Sequence, residues 1–458
     1  MIKEEIIQLI NNQKNNLINS PFKVPANRIK SLKLLKKNII EMEAEIADAL
    51  KKDLNKSTEE SYMCEIGLVL SEISYMIKHI KKFAKPKRVR TPLSQFPSKS
   101  FKLPCAYGSV LIISPWNYPF MLSIEPMVDA IAAGNSVVLK PSQTSNNVQK
   151  VIEKLINKTF NKEQVFVVMG GREECDFLLD QDFDYMFFTG STRVGKTVMQ
   201  KASEKFIPVT LELGGKSPCV VDETANIELS AKRIVFGKLL NAGQTCVAPD
   251  YIYCHKSVKE KLIKELKKQI ILQYGVDPLN NDNYPKVINK KQFDFHISLL
   301  NNSNIIFGWK NDDTKLKIEP TIVLANFEDT VMESEIFGPI LPIVTFENLD
   351  QAITKLNSFN KPLAFYIFSS SKTNQNKLLK SCDFGGGCIN DTVIHLATPL
   401  LGFGGLKQSG IGAYHGKVGF DSFSHYKSIV NKKTWLDLPM RYQPINKFKN
   451  FLIRMFLK

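Results

Sequence analysis

The chain contains no run of about eighteen apolar residues, so none of its 458 residues suggests a membrane-spanning helix. Its eight cysteines form no C-x-x-C pair, and its six histidines include no H-E-x-x-H, which removes the commoner zinc sites; no metal is expected. The first residues carry Lys3, Glu4 and Glu5 where a secretory leader needs an uninterrupted apolar stretch. Together with the cysteine spacing, this points to a reduced, cytoplasmic setting. Internal repeats and low-complexity tracts are also lacking. No aromatic-basic module or zinc-finger pattern accompanies the formal net charge of +16. That charge is mostly lysine on what read as surface helices, as in Arg28 to Lys37 and Lys256 to Lys268. It implies a solvated surface drawn to anionic membranes, with no specific nucleic-acid partner.

What is present suits globular cores. Hydrophobic residues make up 43% of the chain, and its length suggests two or three domains. Helical periodicity dominates from Ile6 to Ala84, with Ile39, Met42, Ile46 and Leu50 spaced for one face. Lys85 to Ser100, rich in basic residues, Pro and Ser, reads as an excursion from the first domain. From Tyr107 to Leu211, apolar runs alternate with helical stretches: Val110 to Ile113, Met127 to Ala133, Val137 to Leu139, Asn147 to Ile156, Val165 to Val168 and Tyr185 to Phe188. This alternation predicts a parallel sheet covered by helices on both faces. A second α/β unit is expected from Gly214 to Cys388.

The chemistry-bearing segments begin with Gly243-Gln244-Thr245-Cys246 and Leu211-Glu212-Leu213-Gly214-Gly215-Lys216-Ser217-Pro218. Covalent catalysis at a carbonyl needs a soft nucleophile, a carboxylate that activates water, and small residues that admit a ligand; these two runs hold all three. Taken singly, Cys246 reads as a small buried hydrophobe and Glu212 as a solvated strand residue; the company of further runs turns the reading to chemistry. Further runs follow: Pro115-Trp116-Asn117-Tyr118-Pro119 after an apolar strand, Val137 to Gln143 with Lys140-Pro141-Ser142, Phe187 to Thr197, Glu333 to Pro339, and Asn390-Asp391 onward to Tyr414-His415-Gly416-Lys417. Residues 190–197 also satisfy the phosphate-loop pattern G-x-x-x-x-G-K-[ST], and Cys219 to Glu223 resembles a magnesium-holding run. A P-loop-type ATPase is therefore the rival reading, although it leaves Asn117, Glu212 and Cys246 without roles.

In this order these runs resemble the aldehyde dehydrogenase superfamily, most closely its class 3 and fatty-aldehyde branch. The resemblance implies two parallel-sheet α/β domains, one Rossmann-like, plus a small β oligomerisation arm. It places the cofactor-binding domain in 1–84 and 107–211, the catalytic domain in 212–413, the arm in 85–106 and 414–440, and an amphipathic tail in 441–458. It implies oxidation of medium- or long-chain aliphatic or aromatic aldehydes to acids with NAD or NADP, in a homodimer. Cys246 would be the nucleophile, Glu212 the base and Asn117 the oxyanion donor. Trp116, Lys140, Ser142, Gly190, Ser191, Gly195, Leu213, Glu335 and Phe337 would bind the cofactor. His395 and His415 read as packing or loop residues.

Three positions depart from the family pattern: Gln143 replaces a glutamate that repels a 2′-phosphate, Gly402 a proline and Lys407 a glycine. The last two imply a loop of different shape or mobility. In the tail, Phe448, Phe451, Leu452, Met455 and Phe456 recur at helical spacing among Lys447, Lys449, Asn450, Arg454 and Lys458. This pattern is read either as a helix docked on protein or as one lying on anionic lipid.

Overall fold

The structure, a computed structural model, describes residues 2–15, 19–301 and 303–457. Lys458 of the expected tail, residues 1 and 16–18 of the first expected domain and residue 302 of the second lie outside them.

Two sheets carry the molecule. The first runs in the order Gly410–Ile411, Val209–Glu212, Tyr185–Thr189, Ser109–Ile113, Ser136–Lys140, Val165–Val167, parallel throughout except for the short first strand. Its central strands are buried along their whole length, as apolar runs covered on both faces must be. Side chains alternate between the two covers. Val110 and Ile112 join a core with Leu32, Ile39, Ile73 and Ile124, whereas Leu111 and Ile113 meet Ile6, Ile10, Leu178 and Val198 on the other side. Ile39, Met42, Ile46 and Leu50 are all buried, but they span two helices, Pro25–Glu41 and Glu43–Leu54, with the break at Met42.

The second sheet has seven strands, ordered Asn304–Phe307, Thr321–Leu324, Ile340–Phe346, Tyr251–His255, Pro218–Val221, Ala364–Phe368, Gly386–Ile389; only the first pairs antiparallel. A three-stranded antiparallel sheet, Lys87–Val89, Ser98–Ala106 and Ser424–Lys432, projects as the arm, and its outer strand is exposed at every residue. Residues 414–423 are not part of it. Tyr414, His415, Phe420 and Phe423 are buried, and Phe420 lies 5.4 Å from Phe83, because the helix Gly416–Ser422 packs against the first layer.

Arg28 corrects the reading of its stretch as surface. Its guanidinium is buried and donates to the carbonyls of Phe22, Lys23 and Ala132, and burial pushes its pKa down to about 10. Such a cation is retained inside because its donors are met by carbonyls. No helix among the described residues is long and apolar enough to cross a membrane.

Candidate active site

The strands Ser109–Ile113, Tyr185–Thr189 and Val209–Glu212 end at a cleft between the two sheets, where ligands bind in open α/β folds. Its walls include Trp116, Asn117, Gly190, Ser191, Glu212, Leu213, Gly214, Cys246, Glu335 and Phe337. A second cavity meets it at Cys246, Leu122, Phe403 and Tyr414. This second cavity is walled by Met63, Leu68, Met121, Phe236 and Leu396 and is almost entirely apolar. The three residues expected to be catalytic thus share one cleft, and a greasy passage ends at the thiol.

Cys246 follows a 3-10 turn, Leu240–Gly243, that closes the helix Ile227–Leu239. Within that turn Asn241 and Ala242 both take φ 51°, left-handed backbone that is costly for residues other than glycine. The surrounding apolar walls, with the charges of Glu335 and Glu212 adding to them, push the Cys246 thiol up to about 12. Glu212 closes its strand, is buried, and has no hydrogen-bond partner among the described residues for either carboxylate oxygen; burial holds it well above the usual carboxylate range. Asn117 is buried too. Its side-chain NH2 donates to the Gln244 carbonyl at 3.1 Å, leaving one hydrogen for a ligand.

Trp116 and Phe337 stand edge to face with centroids 5.4 Å apart. The Glu335 carboxylate lies so close over Gly214 that a Cβ there would sit 2.1 Å from its oxygen. Burial, reinforced by Asp250, pushes Glu335 up to about 8, and Lys238, buried without a hydrogen-bond partner among the described residues, opposes that shift. Ser191 caps the helix Thr192–Ser203 and accepts from the Val194 N–H. Lys140, Ser142 and Gly195 do not line the cleft. Lys140 sits buried at the end of Ser136–Lys140 with its ammonium on the carbonyls of Pro141 and Gly170, and Ser142 turns the chain just beyond. Gly195 lets the helix approach Leu213, where a Cβ would meet Cδ2 at 2.5 Å.

The phosphate-loop reading fails on this geometry. Only Gly190 and Ser191 precede the helix, so Gly195, Lys196 and Thr197 lie inside it, and the Gly195 N–H is bonded to the Ser191 carbonyl. Lys196 is exposed, and Asp222 follows a strand of the other sheet, where it holds Thr224 and Asn374.

Several groups around the site are given no role by the sequence, although Tyr118 and Tyr414 lie in runs it singled out. Lys56, Glu60 and Glu65 reach it from the N-terminal helices, Tyr118 bonds Thr245, and Tyr414 and Phe403 wall both cavities. His395 contacts Cys388 at 3.6 Å, with its pKa pushed down to about 4 by burial. His415 packs on Phe403 and lies 3.2 Å from Glu125. Lys407, where the family has glycine, takes φ 58°, so the loop keeps the backbone that glycine would adopt.

A family model described as the aldehyde dehydrogenase family matches residues 19–429. The chain is 47% identical over 435 residues to a 4,4'-diaponeurosporen-aldehyde dehydrogenase of Staphylococcus aureus, covering 94% of each chain. It is 42% identical over 400 residues to aldehyde dehydrogenase family 3 member B1 of Homo sapiens, covering 87% of this chain and 86% of that one. Among solved structures it superposes on the substrate-bound state of a Staphylococcus aureus AldH with a TM-score of 0.97, at 46% identity over 99% of both chains.

Proposed function

We infer the following from the fact that this chain belongs to the aldehyde dehydrogenase family: it oxidises aldehydes to carboxylic acids with a nicotinamide dinucleotide, and Cys246, Glu212 and Asn117 perform the chemistry. The carrying observation is the meeting of an apolar passage and a polar cleft at one thiol. The cleft fits the cofactor. A helix N-terminus and the small residues Gly190 and Ser191 suit a pyrophosphate, while Lys140, the expected ribose contact, stands outside these walls at the end of the next strand with its ammonium on the Pro141 and Gly170 carbonyls. The Glu335 carboxylate over Gly214 suits the second ribose, with Trp116 and Phe337 beside the nicotinamide. A betaine aldehyde dehydrogenase of the same fold was solved in complex with NAD+.

The Cys246 thiolate adds to the aldehyde carbon, and the resulting oxyanion is held by the free Asn117 N–H and the Cys246 backbone N–H. Removing one such donor typically costs about 2.7–4 kcal/mol. A dinucleotide held beside Glu335, Trp116 and Phe337 would supply the hydride acceptor, and loss of hydride from the thiohemiacetal carbon would leave a thioester on Cys246. Glu212, with both oxygens unpartnered among the described residues, then takes a proton from water, and the hydroxide attacks the thioester carbon and releases the acid and the Cys246 thiolate. The apolar walls favour medium- or long-chain aliphatic or aromatic aldehydes. The cofactor role is assigned to 1–84 and 107–211 and the nucleophile role to 212–413, although Gly410–Ile411 and Glu212 of the latter belong to the first sheet. The β arm joins two copies, and the C-terminal helix touches anionic membrane. The test is direct: with an aldehyde series of graded chain length and NAD or NADP, reduced nicotinamide should appear, fastest with apolar substrates. Silence across the series would overturn the function.

A further inference from the structure

Both halves of the oxyanion site are gripped from outside the two sheets by three ionic side chains. Lys56 follows the helix Glu43–Leu54 and is fully buried, as is Glu65; Glu60 is 8% exposed. Glu60 and Glu65, five residues apart, would point away from each other on an ordinary α-helix. Here Tyr62–Ile66 is a π-helical turn, in which the Gly67 N–H bonds the Tyr62 carbonyl five residues back, and the wider turn brings both carboxylates inward.

The contacts divide cleanly. The Lys56 ammonium donates to Glu65 at 2.5 Å and to the Asn117 carbonyl at 2.9 Å, and lies 3.9 Å from the Tyr118 ring centroid. The other Glu65 oxygen accepts the Phe120 and Met121 N–H groups at 2.9 and 3.2 Å, anchoring the helix that follows the Asn117 loop. Glu60 accepts the Asn241 N–H at 2.7 Å, within the left-handed turn before the nucleophile. The Asn241 amide closes the circuit, donating to the Asn117 carbonyl at 2.7 Å and the Gln244 carbonyl at 3.1 Å. Burial pushes both carboxylates up, and the Lys56 charge draws them back. A buried ion pair returns little net stability after desolvation, so stability alone does not account for three charged groups here. Every one of their backbone contacts falls on the Asn117 loop, the helix after it, or the Cys246 turn.

We propose that Lys56, Glu60 and Glu65 are positioning residues that act through the Asn117 carbonyl and the Asn241 N–H to fix the Asn117 amide against the Cys246 turn before substrate arrives. This rests on Asn117 being the oxyanion donor. The test is a double-mutant cycle: Lys56→Met and Glu60→Gln, each made in the parent and in an Asn117→Ala background, with kcat, KM for aldehyde, NAD affinity and Tm measured. In the parent, each substitution lowers kcat by roughly tenfold to a hundredfold with NAD affinity unchanged, the penalty of misplacing a reacting group. In the Asn117→Ala background neither lowers kcat further, because the donor they position is gone. Equal losses in both backgrounds would overturn the inference and leave the three groups a structural role. Full activity of Asn117→Ala alone would remove the donor assignment and the inference with it. A parent protein without aldehyde turnover would instead defeat the function itself. If Lys56→Met does not accumulate as folded protein, the Glu60→Gln pair decides by the same criterion.

Discussion

In the proposed mechanism Cys246 and Glu212 pose the same problem at one site. The thiol must lose a proton that its apolar walls retain, and the carboxylate must be ionised where burial keeps it neutral. Cys246→Ala is expected to cut turnover by roughly a thousandfold or more while cofactor affinity is unchanged, because only this thiol can form the thiohemiacetal. Glu212→Gln should spare the first turnover and slow the release of acid, visible as a burst followed by a low steady rate. A steady rate equal to the parent's would remove Glu212 from the base role. Gln143 is exposed at the strand end beside Lys140, with its carbonyl oxygen against Gly171. An amide there does not repel a 2′-phosphate, so the protein should accept both NAD and NADP. Gln143→Glu should reduce kcat/KM for NADP by about tenfold, the effect of one close like-charge contact at a wet surface. If the parent ignores NADP at millimolar concentration, another residue sets the discrimination.

At the scale of elements, the C-terminal helix Lys447–Phe456 is the least accounted for by its own fold. Asn446 caps it, and Phe448, Phe451 and Met455 of its apolar stripe are 67%, 62% and 49% exposed, whereas Leu452 and Phe456 are half-buried. Lys447, Lys449 and Arg454 carry the opposing charge with no acid in the helix. The helix has ten residues, too short to span a bilayer and suited to lying in the interface. Deleting the residues after Pro444 should weaken sedimentation with anionic liposomes and alter activity on long-chain aldehydes more than on short ones. Liposome binding and chain-length preference that survive the deletion would return the helix to a role in docking on protein.

For the whole molecule, pH acts through the buried acids. The folded state keeps the Glu335 proton up to about pH 8, chiefly through burial. The unfolded chain releases it at about pH 4.3. Folding therefore takes up a proton between these values, and stability falls as pH rises through that window. Glu335→Gln removes the titration, so its Tm should gain on the parent's between about pH 5 and 8 and then hold that gain; curves that stay parallel would show that Glu335 is ionised in the fold. The arm gives a second prediction at this scale. Its outer strand Lys87–Val89 is exposed, with an edge that has no neighbour among the described residues, and such edges pair. Light scattering should give about twice the chain's 51.9 kDa, and a mass of one chain would sink the dimer.

By itself the sequence determined the parallel α/β architecture, since continuous apolar runs such as Val110 to Ile113 bury on both faces wherever helices flank them. It also marked Cys246, Glu212 and Asn117 as candidates, because local runs such as Leu211 to Pro218 combine chemistry with small residues. It could not show that Gly190 to Thr197 is a capped helix rather than a phosphate loop, since the same glycines and lysine satisfy both patterns. Nor could it show Arg28 as buried, because its partners are backbone carbonyls that leave no mark in the residue string. Lys56, Glu60 and Glu65 were silent for the same reason: they act on peptide groups 55 to 181 positions away. Tertiary structure alone decided those contacts, and with them the apolar passage to Cys246, because a cavity belongs to the space between elements and to no one segment of chain.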